Sequence, residues 1–296
     1  MKRAEVALLL LLVGACKAAS GNEEKGGSGA PQATAAQGSV LAPADAPPAP
    51  LAWPDLLPDE LEPPFVSRAR PIRVYLDAGH GAKDNSGNTS SFCVQEQEFT
   101  ASLARDLKLD LEALGGFDVI LSRPGTEVVP YAERVEGARR ARADVFVSLH
   151  SDVRGKKYEE WSPDGSAICR RNVETPGFSV LYSDEGAPAL VSSRKRLADS
   201  IADALLEARF EPYLGAEYVS LYEPIPSETG VFVDRHEPGK RILVLRRTEM
   251  PAVIVETHNA LDPREAIAFE DPLVRARFGL ALAKGIAVAL QEGRAP

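Results

Sequence analysis

The sequence predicts a single α/β domain built on a mostly parallel twisted sheet with helices on both faces. Three observations carry that expectation. Short apolar runs at 73–80, 143–150 and 250–256 are crowded with β-branched and aliphatic residues. Turn residues bound each run, and segments of helical spacing lie between them. Each run also ends in a residue able to bind metal or move protons: His80, His150 and Glu256. In a parallel sheet the carboxyl ends of the strands converge on one crevice, so the three are expected to share a site.

The elements follow in order. After the first strand, Phe99, Leu103, Leu107, Leu111 and Leu114 recur at helical spacing over 98–114, and Gly115-Gly116 stops that helix. Residues 117–122 make a short strand, and 131–143 a helix with an Arg-rich outer face that leads into the strand ending at His150. The stretch 152–176 is polar, contains Trp161, Pro163, Gly165 and Cys169, and reads as a loop forming one wall of the cleft before a strand at 178–182. A helix over 192–210 buries Leu197, Ile201, Leu205 and Leu206, with Ser192 and Ser193 as its cap. Residues 211–239, with four prolines and Tyr213, Tyr218, Tyr222 and Phe232, read as irregular chain serving as a lid or partner surface. Strands at 242–245 and 252–255 and a helix over 272–291 complete the domain.

This folded region is expected to span 67–296. Ahead of it, Met1-Lys2-Arg3 is a basic start, 6–13 is an apolar stretch too short to span a bilayer, and Val13-Gly14-Ala15 precedes Cys16. Residues 1–16 therefore resemble a bacterial lipoprotein signal peptide with Cys16 as the lipidated residue; the alternative is an ordinary secretory signal. The Ala- and Pro-rich stretch 17–66 reads as a disordered tether. Export to the cell envelope, with the chain lipid-anchored and periplasmic, is the expected location. A formal charge of −9 without a concentrated basic stripe argues against a nucleic-acid partner. In an exported chain Cys93 and Cys169 are free to form a disulfide, with two buried thiols as the alternative.

Hydrolytic zinc sites favour three protein ligands and an open position for water. His80 and His150 supply two. Glu96 and Glu98 both stand where the chain enters the first helix, so either carboxylate is a third, and Asp77 is expected to orient the His80 imidazole as an acceptor behind it.

Four segments, Leu76-Asp77-Ala78-Gly79-His80-Gly81, Glu96-Gln97-Glu98-Phe99, Ser148-Leu149-His150-Ser151 and Met250-Pro251-Ala252-Val253-Ile254-Val255-Glu256, resemble the landmarks of the zinc-dependent N-acetylmuramoyl-L-alanine amidases in order and approximate spacing. The resemblance spans about 72–290. It implies Zn²⁺ held by His80, Glu96 and His150, Glu256 as the catalytic acid–base, Arg246 beside the groove facing a peptide-stem carboxylate, and peptidoglycan as substrate. It further implies that an activator protein could withdraw a segment covering the zinc, a role open to 211–239. Thr257-His258-Asn259 departs from the family pattern, and His258 is expected at the rim of the site. Rival readings are a zinc peptidase or deacetylase acting on another envelope polymer, and a non-catalytic wall-binding module that kept the fold.

Overall fold

The computed structural model describes residues 70–215, 218, 221–225 and 230–291. The expected signal peptide with Cys16 and the tether 17–66 lie outside the described residues. A seven-stranded sheet organises the rest. Its strands are β1 (Ile72–Ala78), β2 (Phe117–Leu121), β3 (Val145–Asp152), β6 (Ser179–Tyr182), β7 (Tyr222–Pro224), β8 (Val231–Asp234) and β9 (Ala252–Asn259), in the order β2-β1-β3-β9-β6-β8-β7. A separate antiparallel hairpin pairs β4 (Glu159–Trp161) with β5 (Cys169–Arg171). Pairings from β2 through β1 and β3 to β9 are parallel; β6 runs antiparallel to β9 but parallel to β8, and β7 closes the edge antiparallel to β8.

Two-residue alternation along the strands sorts the core into two layers. Ile72, Val74, Leu76 and Ala78 of β1, Val145, Val147 and Leu149 of β3, and Val253 and Val255 of β9 pack with helices α1 (Glu96–Ala113), α3 (Pro188–Glu207) and α6 (Pro272–Gln291). Tyr75, Phe146, Ala252 and Ile254 turn the other way, toward α2 (Tyr131–Ala141) and α4 (Leu243–Arg247). Leu103, Leu107 and Leu111 of α1 are fully buried, each worth roughly 1.5–3 kcal/mol of apolar transfer. Helices α3 and α6 approach closely because Gly285 has no side chain: a Cβ there would lie 2.6 Å from the Ile201 Cα.

Several expectations are corrected. Residues 242–245 do not form a strand; they open the single-turn α4, in which the consecutive residues Val244 and Leu245 are both buried. A four-residue apolar run cannot distinguish strand from helix by periodicity. Helix α3 starts at Pro188 with Ala187 as its N-cap, so Ser192 and Ser193 lie inside it, and Ser193 Oγ donates to the Ala189 carbonyl at 2.9 Å. The loop at 152–176 contains the β4–β5 hairpin. The segment 211–239 is not irregular throughout: β7 and β8 fall within it, and Val231 to Asp234 are all buried. A short helix, α5 (Pro263–Ala268), also went unanticipated; Asp262 caps it by accepting the Arg264 N–H.

Candidate metal centre

The carboxyl ends of β1, β3 and β9 bring the expected residues together. His80 sits in the turn after β1 with a left-handed φ of 57°. Glu96 opens α1, where the positive end of the helix dipole favours a carboxylate. His150 lies on β3 directly opposite Glu256 in the parallel register with β9. Alternation places both on the α2/α4 side of the sheet, because Phe146 and Ile254, an even number of residues away, face that layer.

The distances are short. His80 Nε2 lies 3.1 Å from Glu96 Oε2, and His150 Nδ1 lies 3.0 Å from Glu96 Oε1. The imidazole rings are 4.8 Å apart and nearly perpendicular, at 75°. One ligand atom from each of the three residues falls within 4.8 Å of the others. His80 Nδ1 pairs with Asn85 Oδ1 at 2.7 Å, which leaves Nε2 to face the cluster. Glu96 is fixed from behind, since Oε2 accepts from Asn88 N–H at 3.0 Å and Asn88 Nδ2 at 2.8 Å, and Oε1 accepts from Ser151 N–H at 3.1 Å. Gly87 leaves room at the cluster, for a Cβ there would lie 2.5 Å from Glu96 Oε2 and 2.7 Å from His80 Cδ2.

This donor set fits a divalent cation of borderline softness: two imidazole nitrogens and one carboxylate oxygen converge on one point. Burial pushes the Glu96 carboxyl up, but hydrogen bonds and charge from His150 and His80 outweigh it and hold the group well below the usual carboxylate range. Burial likewise depresses His80 and His150, yet their contacts with Glu96 reverse the sign and raise both. Three mutually attracted groups of this kind exchange protons for a cation on binding. Glu98 is exposed and takes no part in the cluster.

Glu256 has the opposite character. Burial, aided by the negative charges of Asp152 and Glu96 and opposed by His150, pushes its carboxyl up to about 8. Its Oε2 is shielded from solvent and has no hydrogen-bond partner among the described residues. Asp152, at the end of β3, carries Arg154 at 2.9 Å and accepts from the Tyr218 hydroxyl, while the Arg154 guanidinium lies 4.1 Å from the Tyr213 ring centre.

Two expected residues, Asp77 and His258, stand elsewhere. Asp77 does not touch the His80 imidazole. It shares the α2-facing side of β1 with Tyr75, so it accepts from Arg134 at 3.0 Å and from Ser148 Oγ at 2.6 Å, and Asn85 takes the imidazole instead. His258 is not at the rim. Between His150 and Asp152 the register shifts so that β9 carries one extra residue, a bulge that turns His258 toward the α1/α6 layer. There it is 2 % exposed, stacked on Phe269 at 4.8 Å and edge-on to Phe99 at 5.1 Å. Burial and the positive Arg154 hold its pKa down at about 3, so it is a neutral core imidazole. Arg246 lies on α4, ahead of β9, and its Nε donates to the Arg241 carbonyl at 3.1 Å.

A disulfide joins Cys93 and Cys169, whose Cα atoms are 5.4 Å apart. It ties the β4–β5 hairpin to the loop three residues ahead of Glu96, and Trp161 Nε1 adds a bond of 2.7 Å to the Ser91 carbonyl. Sequence reasoning missed Asn88, Arg123 and Arg134. The Arg-rich face of α2 was expected to point outward, but Arg134 is completely buried.

Fold and site together define an α/β domain with a His-Glu-His cluster able to hold a cation at the carboxyl edge of its sheet. The chain belongs to the N-acetylmuramoyl-L-alanine amidase family, whose model matches residues 74–288. Among relatives, N-acetylmuramoyl-L-alanine amidase AmiC of Neisseria meningitidis serogroup B is 27% identical over 237 residues, covering 73% of this chain and 52% of that protein. The protein of the same name from Escherichia coli O6:H1 is 25% identical over 202 residues, 66% of this chain and 47% of its own length. The chain thus spans about half the length of these curated relatives. The crystal structure of Ami1, an N-acetylmuramyl-L-alanine amidase from Mycobacterium smegmatis, superposes with a TM-score of 0.59 at 23% identity, over 76% of this chain and 100% of that one, a likeness of fold. Among the described residues no helix is long and apolar enough to cross a membrane.

Proposed function

We propose that this chain is a zinc-dependent hydrolase of the amide between N-acetylmuramic acid and L-alanine in peptidoglycan. One observation carries the reading: His80, Glu96 and His150 converge on a point beside Glu256, whose Oε2 is unpaired. Zinc held by the three ligands would acidify the attacking water and polarise the scissile carbonyl. Glu256 takes the water's proton on its carboxylate and passes it to the leaving alanine nitrogen, and its upward-shifted pKa suits a group that must both accept and release a proton near neutrality. Family membership supports the muramoyl substrate. Glu256→Gln is expected to keep zinc and to lose hydrolysis of purified peptidoglycan by about 10²- to 10⁴-fold. Activity within a few-fold of the parent would remove Glu256 from the mechanism. Release of new L-alanine amino termini from the wall separates this reading from a peptidase or deacetylase.

Arg246 is proposed to pair with a stem carboxylate; Arg246→Ala should then raise KM with kcat nearly unchanged, and an unaltered KM would refute that role. Residues 1–16 are proposed as a lipoprotein signal, 17–66 as a tether and 67–296 as the catalytic domain, which places the enzyme in the cell envelope on a lipid at Cys16. The part of 211–239 outside β7 and β8 is proposed as the contact for an activator. If the purified full chain already digests wall at a rate no envelope extract increases, that contact is excluded.

A further inference from the structure

The turn that presents His80 is held by two arginines that no solvent reaches: Arg123 is 1 % and Arg134 0 % exposed. Their five-donor forks are spent mostly on backbone carbonyls. Arg123 donates from Nε to the Ala78 carbonyl at 3.0 Å, and from one terminal nitrogen to the carbonyls of Gly79 at 2.9 Å and Gln97 at 2.7 Å. Arg134 donates to the Ala78 carbonyl at 2.9 Å, to the Asp77 carboxylate at 3.0 Å and to the His80 carbonyl. Three successive carbonyls, Ala78, Gly79 and His80, are therefore each gripped by a guanidinium, and Thr100 Oγ1 adds a second bond to Gly79 at 2.8 Å.

The grip has a conformational task. His80 is a side-chain-bearing residue in the left-handed region, φ 57°, followed by Gly81 at φ 70°, an arrangement that costs about 1 kcal/mol or more in isolation and persists only where the surroundings impose it. The same grip reaches the second ligand, because the Gln97 carbonyl that Arg123 holds belongs to the residue after Glu96. A Cβ on Gly81 would lie 2.7 Å from Arg123 Nε, so guanidinium and turn are packed without a gap. Among the described residues, the two buried cations meet one contacting carboxylate, Asp77.

We infer that Arg123 and Arg134 are positioning residues of the metal centre: they lock the turn so that His80 Nε2 meets Glu96 before any cation arrives. The inference rests on the His-Glu-His metal reading. It requires the planar fork and not merely the charge, since a lysine ammonium cannot span adjacent carbonyls.

The test is zinc affinity of the full chain, measured by chelator competition, together with the melting temperature of the metal-free protein. Arg123→Lys and Arg134→Lys should each weaken zinc about 10- to 100-fold, the usual range for groups that orient a ligand. Leu205→Ala, in the α3 core away from the turn, serves as a stability control and should lower the melting temperature while leaving affinity within about two-fold of the parent. Lysine variants that bind zinc as tightly as the parent overturn the inference, as does a control that loses affinity in the same proportion to its melting temperature. A parent chain that binds no zinc overturns the metal reading itself, which distinguishes the two failures.

Discussion

His80 and His150 carry raised pKa values through their contact with Glu96, and this fixes how the centre responds to pH. Below those values each metal-free imidazole holds a proton that an incoming cation must displace. Zinc affinity is therefore expected to fall as pH drops through a point above 6.5, by up to about 100-fold per pH unit once both imidazoles are protonated. Chelator competition between pH 8 and pH 6 measures it; a flat profile would mean the imidazoles are not the ligands. These residues were legible in the sequence because each follows an apolar strand, and strand ends meet in a sheet of this kind. Glu96 and Glu98 were not separable, because both precede the first apolar helical position; the choice depends on which way the first turn faces. Asp77 was misplaced for a related reason. The alternation of β1 was readable, but the partner across it, Arg134, comes from a helix whose rotation about its axis no short charged segment declares.

At the level of elements, the hairpin β4–β5 owes its place to a covalent clasp. Its cysteine and that of the Glu96 loop are separated by 76 residues, so losing the bond frees a long loop in the unfolded chain. Cys93→Ser with Cys169→Ser is expected to cost about 4.5 kcal/mol by the chain-entropy estimate. Urea unfolding under oxidising conditions measures the loss, and a variant as stable as the parent would show the clasp to be energetically idle. Long periodic helices such as α1 and α6 were readable within a few residues. The short elements were not: α4 is one turn, and β7 and β8 contribute three and four residues to the sheet. Their conformation is set by neighbours, as when Asp234 Oδ2 accepts the Ile242 N–H at 2.7 Å and fixes the start of α4.

For the whole molecule, the parallel centre and the two-layered core follow from patterning along three central strands, while strand order and the antiparallel edge depend on long-range pairing that patterning does not encode. The proposed envelope attachment is tested on the full chain. A Cys16→Ser protein is expected to leave the membrane fraction on cell fractionation; its retention there would refute the lipid anchor.

The extra residue in β9 has a consequence for where His258 stands. Without it, strict alternation would put His258 on the same side as Glu256. A third imidazole there would stand opposite Asp152, in the polar network of Arg154 and Tyr218. One inserted residue thus keeps an imidazole among phenyl rings and off the face that carries Glu256.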